Sequence, residues 1–177
     1  VAEQIVYEIG DPASYLLPDV TCDFRNVQLV QAGENLVRVT GAKGRAPTDC
    51  YKVSATYQDG FRCTGTMMIG GVDAVKKAEA VAAAILKRTR TMFAKRQLAD
   101  YTRTDVEVLG SEANWGKNSR TRSAREVILK LAVHHADKNA LEIFGREFIP
   151  PATAMAQGIT GFSGGRPSPT PLVRLFS

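Results

Sequence analysis

Metal and thiol chemistry have little to work with in this chain, which carries only two histidines and three cysteines. Cys22, Cys50 and Cys63 are odd in number and widely spaced. They make neither a disulfide framework nor a CxxC metal clip, which suits a reducing compartment. The histidines are neighbours, His134 and His135. On a strand, adjacent side chains point to opposite faces, so the two would not share a metal. We expect one to face solvent, the other to lie under a helix, and neither metal nor cofactor to be bound. No apolar run approaches the roughly 20 residues that span a bilayer, and no signal-peptide pattern opens the sequence. No membrane partner is expected.

What the chain does have is the make-up of a globular domain: 177 residues, 44% hydrophobic and 23% charged. That length suffices for one ordinary domain with its own core. It begins at Val1, runs at once into the strand-like Glu3–Ile9, and stops inside the apolar Pro171–Phe176. Domain boundaries normally fall in polar linkers, so we expect a piece of a longer protein, with the rest of that polypeptide as its partner. The net charge of +5 raises nucleic acid as a further partner. Its cations form two clusters, Lys87, Arg88, Arg90, Lys95 and Arg96 late in a helix, and Lys117, Arg120, Arg122 and Arg125 in a polar loop. Neither is interleaved with stacking aromatics, and no known nucleic-acid motif appears, so solvated surface is the preferred reading.

Apolar periodicity lays out the elements. Val27–Gln31 and Leu36–Thr40 flank Ala32-Gly33-Glu34-Asn35 and read as a hairpin. A second hairpin is expected from Tyr51–Tyr57 and Phe61–Ile69 about the three-residue loop Gln58-Asp59-Gly60, with Gly60 at positive φ. Asp73 reads as the N-cap of a helix from Ala74 to Lys95, with Val75, Ala78, Ala82, Ile85, Thr89, Met92 and Phe93 on one face. Strands follow at Thr104–Leu109 and Glu126–His134. Asp137 opens a second helix with Leu141, Phe144 and Phe148 inward, stopped by Pro150-Pro151, and a last strand runs from Leu172 to Phe176.

From Phe61 onward that order is β-α-β-β-α-β. It predicts an α+β fold of ferredoxin-like type, an antiparallel sheet with two covering helices. Residues 51–177 would form this domain, and residues 1–50 would supply N-terminal strands and turns that extend the sheet or tie it to a missing domain.

The candidate chemistry is thin. Gly70-Gly71-Val72-Asp73 precedes a helix N-terminus but lacks the spacing of a phosphate loop. Cys50 and Cys63 are expected to be buried as small apolar residues. Asp11, Asp19 and Asp49 stand beside proline or threonine, where aspartate commonly forms turns. The densest feature is Gly158-Ile159-Thr160-Gly161-Phe162-Ser163-Gly164-Gly165-Arg166-Pro167. Its N–H groups with Arg166 would cradle an anion; equally, its glycines would punctuate a long connection.

Several motifs in order carry a family resemblance: Gly10-Asp11-Pro12 through Leu17-Pro18-Asp19-Val20, Pro47-Thr48-Asp49, Tyr51–Tyr57, Asp59-Gly60-Phe61-Arg62, Ile69–Ala74 and Thr160–Pro167. Together they resemble the acyclic terpene utilisation (AtuA-like) family, over nearly the whole chain and as the later part of its large domain. The resemblance implies a cytoplasmic protein of citronellol and geraniol breakdown, near branched acyl-CoA metabolism. It implies no catalytic residues.

The leading expectation is thus an anionic-ligand site, for a branched acyl-CoA or its carboxylate. Arg166 would hold the anion, Gly161, Ser163, Gly164 and Gly165 would surround it, and Asp11 or Asp49 would act as base. A non-catalytic assembly domain forming a homo-oligomer is the alternative, and nucleic-acid binding the third.

Overall fold

The computed structural model describes the chain apart from Lys52, Arg122, Ser163 and Ser177. It divides into two compact units, Val1–Ala55 and Thr56–Phe176. Helices and antiparallel sheets make it an α+β protein.

The first unit opens with a helix, α1 (Ala2–Glu8), in place of the strand expected over Glu3–Ile9. Gln4 donates to Glu8 one turn away at 2.9 Å, and no residue of the helix is buried. With no sheet face to bury Ile5 and Tyr7, local hydrogen bonding decides the conformation. Two small sheets follow. β1 (Tyr15–Leu16), β2 (Thr21–Asp23) and β5 (Lys43–Arg45) form a three-stranded sheet, while β3 (Gln28–Gly33) and β4 (Leu36–Thr40) pair with each other alone. These strands thus make sheets of their own instead of extending the larger one. The β3–β4 hairpin stands where the sequence placed it, with Leu29 opposite Val39 and a positive φ of 55° at Asn35.

In the second unit the expected hairpin about Gln58-Asp59-Gly60 does not form. One 16-residue strand, β6 (Ala55–Gly70), runs straight through it. Gly60 does have positive φ, 75°, but uses it to let the backbone pass His135: a Cβ there would lie 2.8 Å from the His135 carbonyl oxygen. Asp59, expected in a turn, instead ion-pairs with Arg174 of the closing strand, β10 (Thr170–Phe176). Cross-strand partners on both edges outweigh a local Asp-Gly turn preference.

α2 (Ala74–Lys95) follows with the expected limits and buries Ala74, Val75, Ala78, Val81, Ala82, Ile85, Leu86, Thr89 and Phe93. Asp73, however, does not cap it. Its backbone is left-handed (φ 56°), its side chain accepts no capping hydrogen bond, and it pairs with Lys76 at 3.2 Å instead. β7 (Arg103–Leu109), a short 3-10 segment (Ala113–Asn118) and β8 (Glu126–His135) come next. α3 (Lys138–Glu147) is capped as predicted: the Asn139 N–H donates to Asp137 Oδ1 at 2.8 Å. The short α4 (Pro151–Ala154) and β9 (Ile159–Phe162) precede β10.

The sheet order is β10-β6-β8-β7, with β9 also on β6. β6 pairs antiparallel with β8 from Phe61↔His135 to Gly70↔Glu126, and β8 with β7 from Arg103↔His134 to Leu109↔Ile128. Alternate residues of β8, Val127, Leu129, Leu131, Val133 and His135, are buried, as are Cys63, Met67 and Ile69 of β6. This period of two turns one face of the sheet toward α2 and α3. Phe93, Tyr101, Phe144 and Phe148 complete that core through edge and tilted ring contacts. No described helix is long and apolar enough to cross a membrane.

Candidate functional site

The glycine-rich stretch is half strand and half loop. Gly158, at φ 92°, lies against Gly70, whose N–H donates to the Gly158 carbonyl at 2.7 Å. A Cβ on Gly158 would collide with the Gly70 oxygen, so only glycine fits. β9 then pairs with β6: Ile159 faces Ile69, Gly161 faces Met68, and Phe162 faces Met67. Gly161 is therefore a rung of the sheet, where the sequence suggested an open loop. Ser163 lies outside the described residues.

Gly164 and Gly165 turn the chain with φ of 81° and 74°, and neither would bring a Cβ within 4 Å of a neighbour. Arg166 is exposed and, among the described residues, has no carboxylate within ion-pair distance. Pro167, next to it, is buried. A Cβ on Gly65 would sit 2.8 Å from the Pro167 ring and 2.7 Å from Phe148, and one on Gly145 would run into the Pro167 carbonyl. Two glycines, one on β6 and one on α3, thus make the seat for one proline. The loop is pinned at both ends, by Gly158 on one side and Pro167 on the other. Beyond it, Thr170 donates to the Arg62 carbonyl at 3.3 Å and Arg174 pairs with Asp59. β9 and β10 therefore lie end to end along one edge of β6, with Gly164-Gly165-Arg166 projecting where they meet. Gly65 and Gly145 were not singled out in the sequence, because their relation to Pro167 exists only across elements distant in the chain.

The two aspartate candidates belong to the first unit and have different surroundings. Asp11 spends its carboxylate locally: Oδ1 accepts the Ala13 N–H at 2.9 Å, an Asx-type turn. Asp49 lines a pocket with Leu16, Leu17, Pro18, Thr48, Cys50 and Tyr51. There Cys50 lies with its Sγ 3.6 Å from Asp49 Oδ1, and its N–H donates to Thr48 Oγ1 at 3.1 Å. Cys50 is exposed, against the expectation of burial; only Cys63 is buried, and burial pushes its thiol up to about 12. A third aspartate, Asp23, went unnoticed in the sequence. Hydrogen bonds from the Arg25 side chain (2.6 and 3.0 Å) and backbone hold its carboxyl down at about 2.

The histidines part as predicted. His135 is buried; the Asp137 N–H donates to its Nδ1 at 2.7 Å, so the ring proton sits on Nε2 and points at the Ala99 carbonyl, 3.0 Å away. His134 is half-buried on the other face, in one row with Arg62 and Arg103. Burial first, and then the charge of Arg103, lowers its proton affinity. Among the described residues, no group of three or more His, Cys, Asp or Glu side chains is placed to hold a metal ion.

Two separate places thus carry chemistry: in the second unit an accessible cation on a braced glycine turn, and in the first a carboxylate beside an apolar pocket. No curated protein and no solved structure matches the chain. A family model does, described as acyclic terpene utilisation family protein AtuA, and it covers residues 1–177. The chain belongs to the acyclic terpene utilisation family.

Proposed function

We propose that this chain helps form a site for an anionic intermediate of acyclic terpene breakdown, a branched acyl-CoA or its carboxylate, in the cytoplasm. One observation carries the reading. Arg166 is exposed and unpaired among the described residues, and it follows two glycines of positive φ on a loop whose base is held by buried Pro167. A cation that is already positioned loses less conformational freedom when it takes an anion. Gly164 and Gly165 leave the main chain open to close approach, whereas Gly161 belongs to the ladder and is the weaker candidate. Of the two candidate bases, both in the first unit, Asp49 lines a pocket with apolar walls while Asp11 is engaged in its turn, so Asp49 is the better placed to act on a ligand bound in that unit. The frame for this site is a ferredoxin-like domain, a reading favoured by the strand order with two helices on one face.

Titration calorimetry of the protein with branched acyl-CoA esters and with the free carboxylates tests the proposal. Arg166→Ala should weaken binding about tenfold or more, the worth of one charge-assisted hydrogen bond. Unchanged affinity would remove Arg166 from the site.

A second reading, an assembly domain, rests on a separate observation. Val173 and Leu175, alternate residues of β10 and so on one face of it, are exposed large apolar residues. Such a patch suits a second copy of the chain. Sedimentation showing a stable dimer without ligand binding would favour this reading over the first.

A further inference from the structure

The chain has a single tryptophan, and it is exposed. Trp115 shows 66% of its surface, although burying an indole is among the larger apolar gains open to a side chain. It sits in the 3-10 segment between β7 and β8, and it takes part in none of the ring–ring or cation–ring contacts among the described residues. The segment around it is nonetheless braced. Ser111 Oγ donates to the Val108 carbonyl at 2.7 Å, and Ser119 Oγ to that of Ser111 at 2.9 Å. The Arg120 N–H donates to Glu112 Oε2 at 2.6 Å. Glu112 itself has φ of 58° and Gly116 of 52°, so the backbone holds uncommon conformations to make this shape.

The braced segment borders an open cleft of about 520 Å³ lined by Glu112, Trp115, Asn118 and Arg120. That lies within the roughly 300–1,000 Å³ usual for small-molecule sites. The lining is chemically varied: a flat π face, an amide with donors and an acceptor, a guanidinium, and a carboxylate with one oxygen outside the bond to Arg120. Among the described residues neither Arg120 nor the neighbouring Lys117 has an acidic partner within ion-pair distance. The Arg120 guanidinium is unpaired among the described residues, while Glu112 has one oxygen engaged by the Arg120 N–H, so the cleft offers an open cationic group to an anion. A bare phosphate would leave the indole unused, and a neutral sugar would leave Arg120 unused. A nucleotide uses all of them.

We infer that the Trp115 cleft binds a mononucleotide. Its base stacks on Trp115, Asn118 meets the base edge, Arg120 holds the phosphate, and Glu112 accepts from a sugar hydroxyl. Single-stranded nucleic acid fits less well, because it is bound on rows of aromatic rings and, among the described residues, Trp115 is the one ring lining this cleft. The site is separate from the Arg166 loop and does not rest on the reading of that loop.

Because Trp115 is the chain's one tryptophan, its fluorescence reports on the cleft directly. Titration with AMP should quench it saturably, while adenosine and ribose 5-phosphate should each bind about tenfold or more weakly than AMP. Arg120→Ala should raise the Kd for AMP by about tenfold with an unchanged circular dichroism spectrum, since the brace to Glu112 uses the Arg120 backbone and not its side chain. Asn118→Ala provides a further variant that leaves the hydrogen bonds of the segment intact. Absence of saturable quenching by AMP, or equal affinity for AMP and adenosine, would overturn the proposal. Tighter, steeply salt-dependent binding of an oligoadenylate would overturn it in favour of nucleic acid.

Discussion

The two units of this chain are held together by different means. Among the described residues, all 22 of the hydrophobic core run from Cys63 to Phe148, within the second unit. In the first, Thr21 is the one described residue that is fully buried. Its hairpin leaves Leu29, Val30, Leu36 and Val39 substantially exposed. What structure it has comes from ladders, turns and exposed polar contacts such as Asp23–Arg25 and Arg45–Ser14. Such contacts are individually worth little in water. Free energy of local opening follows buried apolar contact, so the first unit should open more readily than the second. The candidate residues divide the same way: Arg166 projects from the unit with the core, and Asp11 and Asp49 sit in the unit without one.

The strongest way to break that contrast is to remove part of the core. Phe144 is fully buried and meets both Tyr101 and Phe148. Phe144→Ala should cost about 3–5 kcal/mol, read from the shift in urea midpoint. Amide exchange should then speed up along β6 and β8 while that of the β3–β4 hairpin stays as it was. An equal rise in both units would show that they unfold as one, and the contrast would fail.

A smaller effect separates two aspartates that look alike in the sequence. Both Asp73 and Asp137 precede helices, yet only Asp137 accepts a capping N–H. Asp137→Ala should cost about 1 kcal/mol, whereas Asp73→Ala should fall within about 0.5 kcal/mol of zero. Equal losses in the two variants would contradict the capping geometry.

That pair also shows what was legible in the sequence and what was not. Local apolar spacing was legible: the limits of α2 and the β3–β4 hairpin follow from it and from turn residues alone. So was the splitting of His134 and His135 between two faces. Features that depend on a distant partner were not. Asp59-Gly60 reads as a turn until β8 and β10 appear on either side of it. The β-branched and aromatic run within Glu3–Ile9 reads as a strand until no sheet comes to meet it. Within the glycine stretch, Gly158 and Pro167 had no visible purpose, because their partners Gly70, Gly65 and Gly145 lie far away in the chain. The candidate site divided likewise. An exposed arginine after two glycines can be read directly, but the anchoring that holds it in place cannot.

The smallest expected effect falls in the first unit and completes the contrast. Leu29 and Val39 face one another across the β3–β4 ladder, and each remains more than a third exposed. A cross-strand apolar pair of this kind contributes only a few tenths of a kcal/mol up to about 1. Truncating one member leaves no cavity, since solvent already reaches both. Leu29→Ala should therefore change global stability by no more than about 0.5 kcal/mol, a tenth or so of the Phe144→Ala loss. A loss near that of Phe144→Ala would mean that this pair is covered in solution, and the first unit would then owe its structure to burial after all.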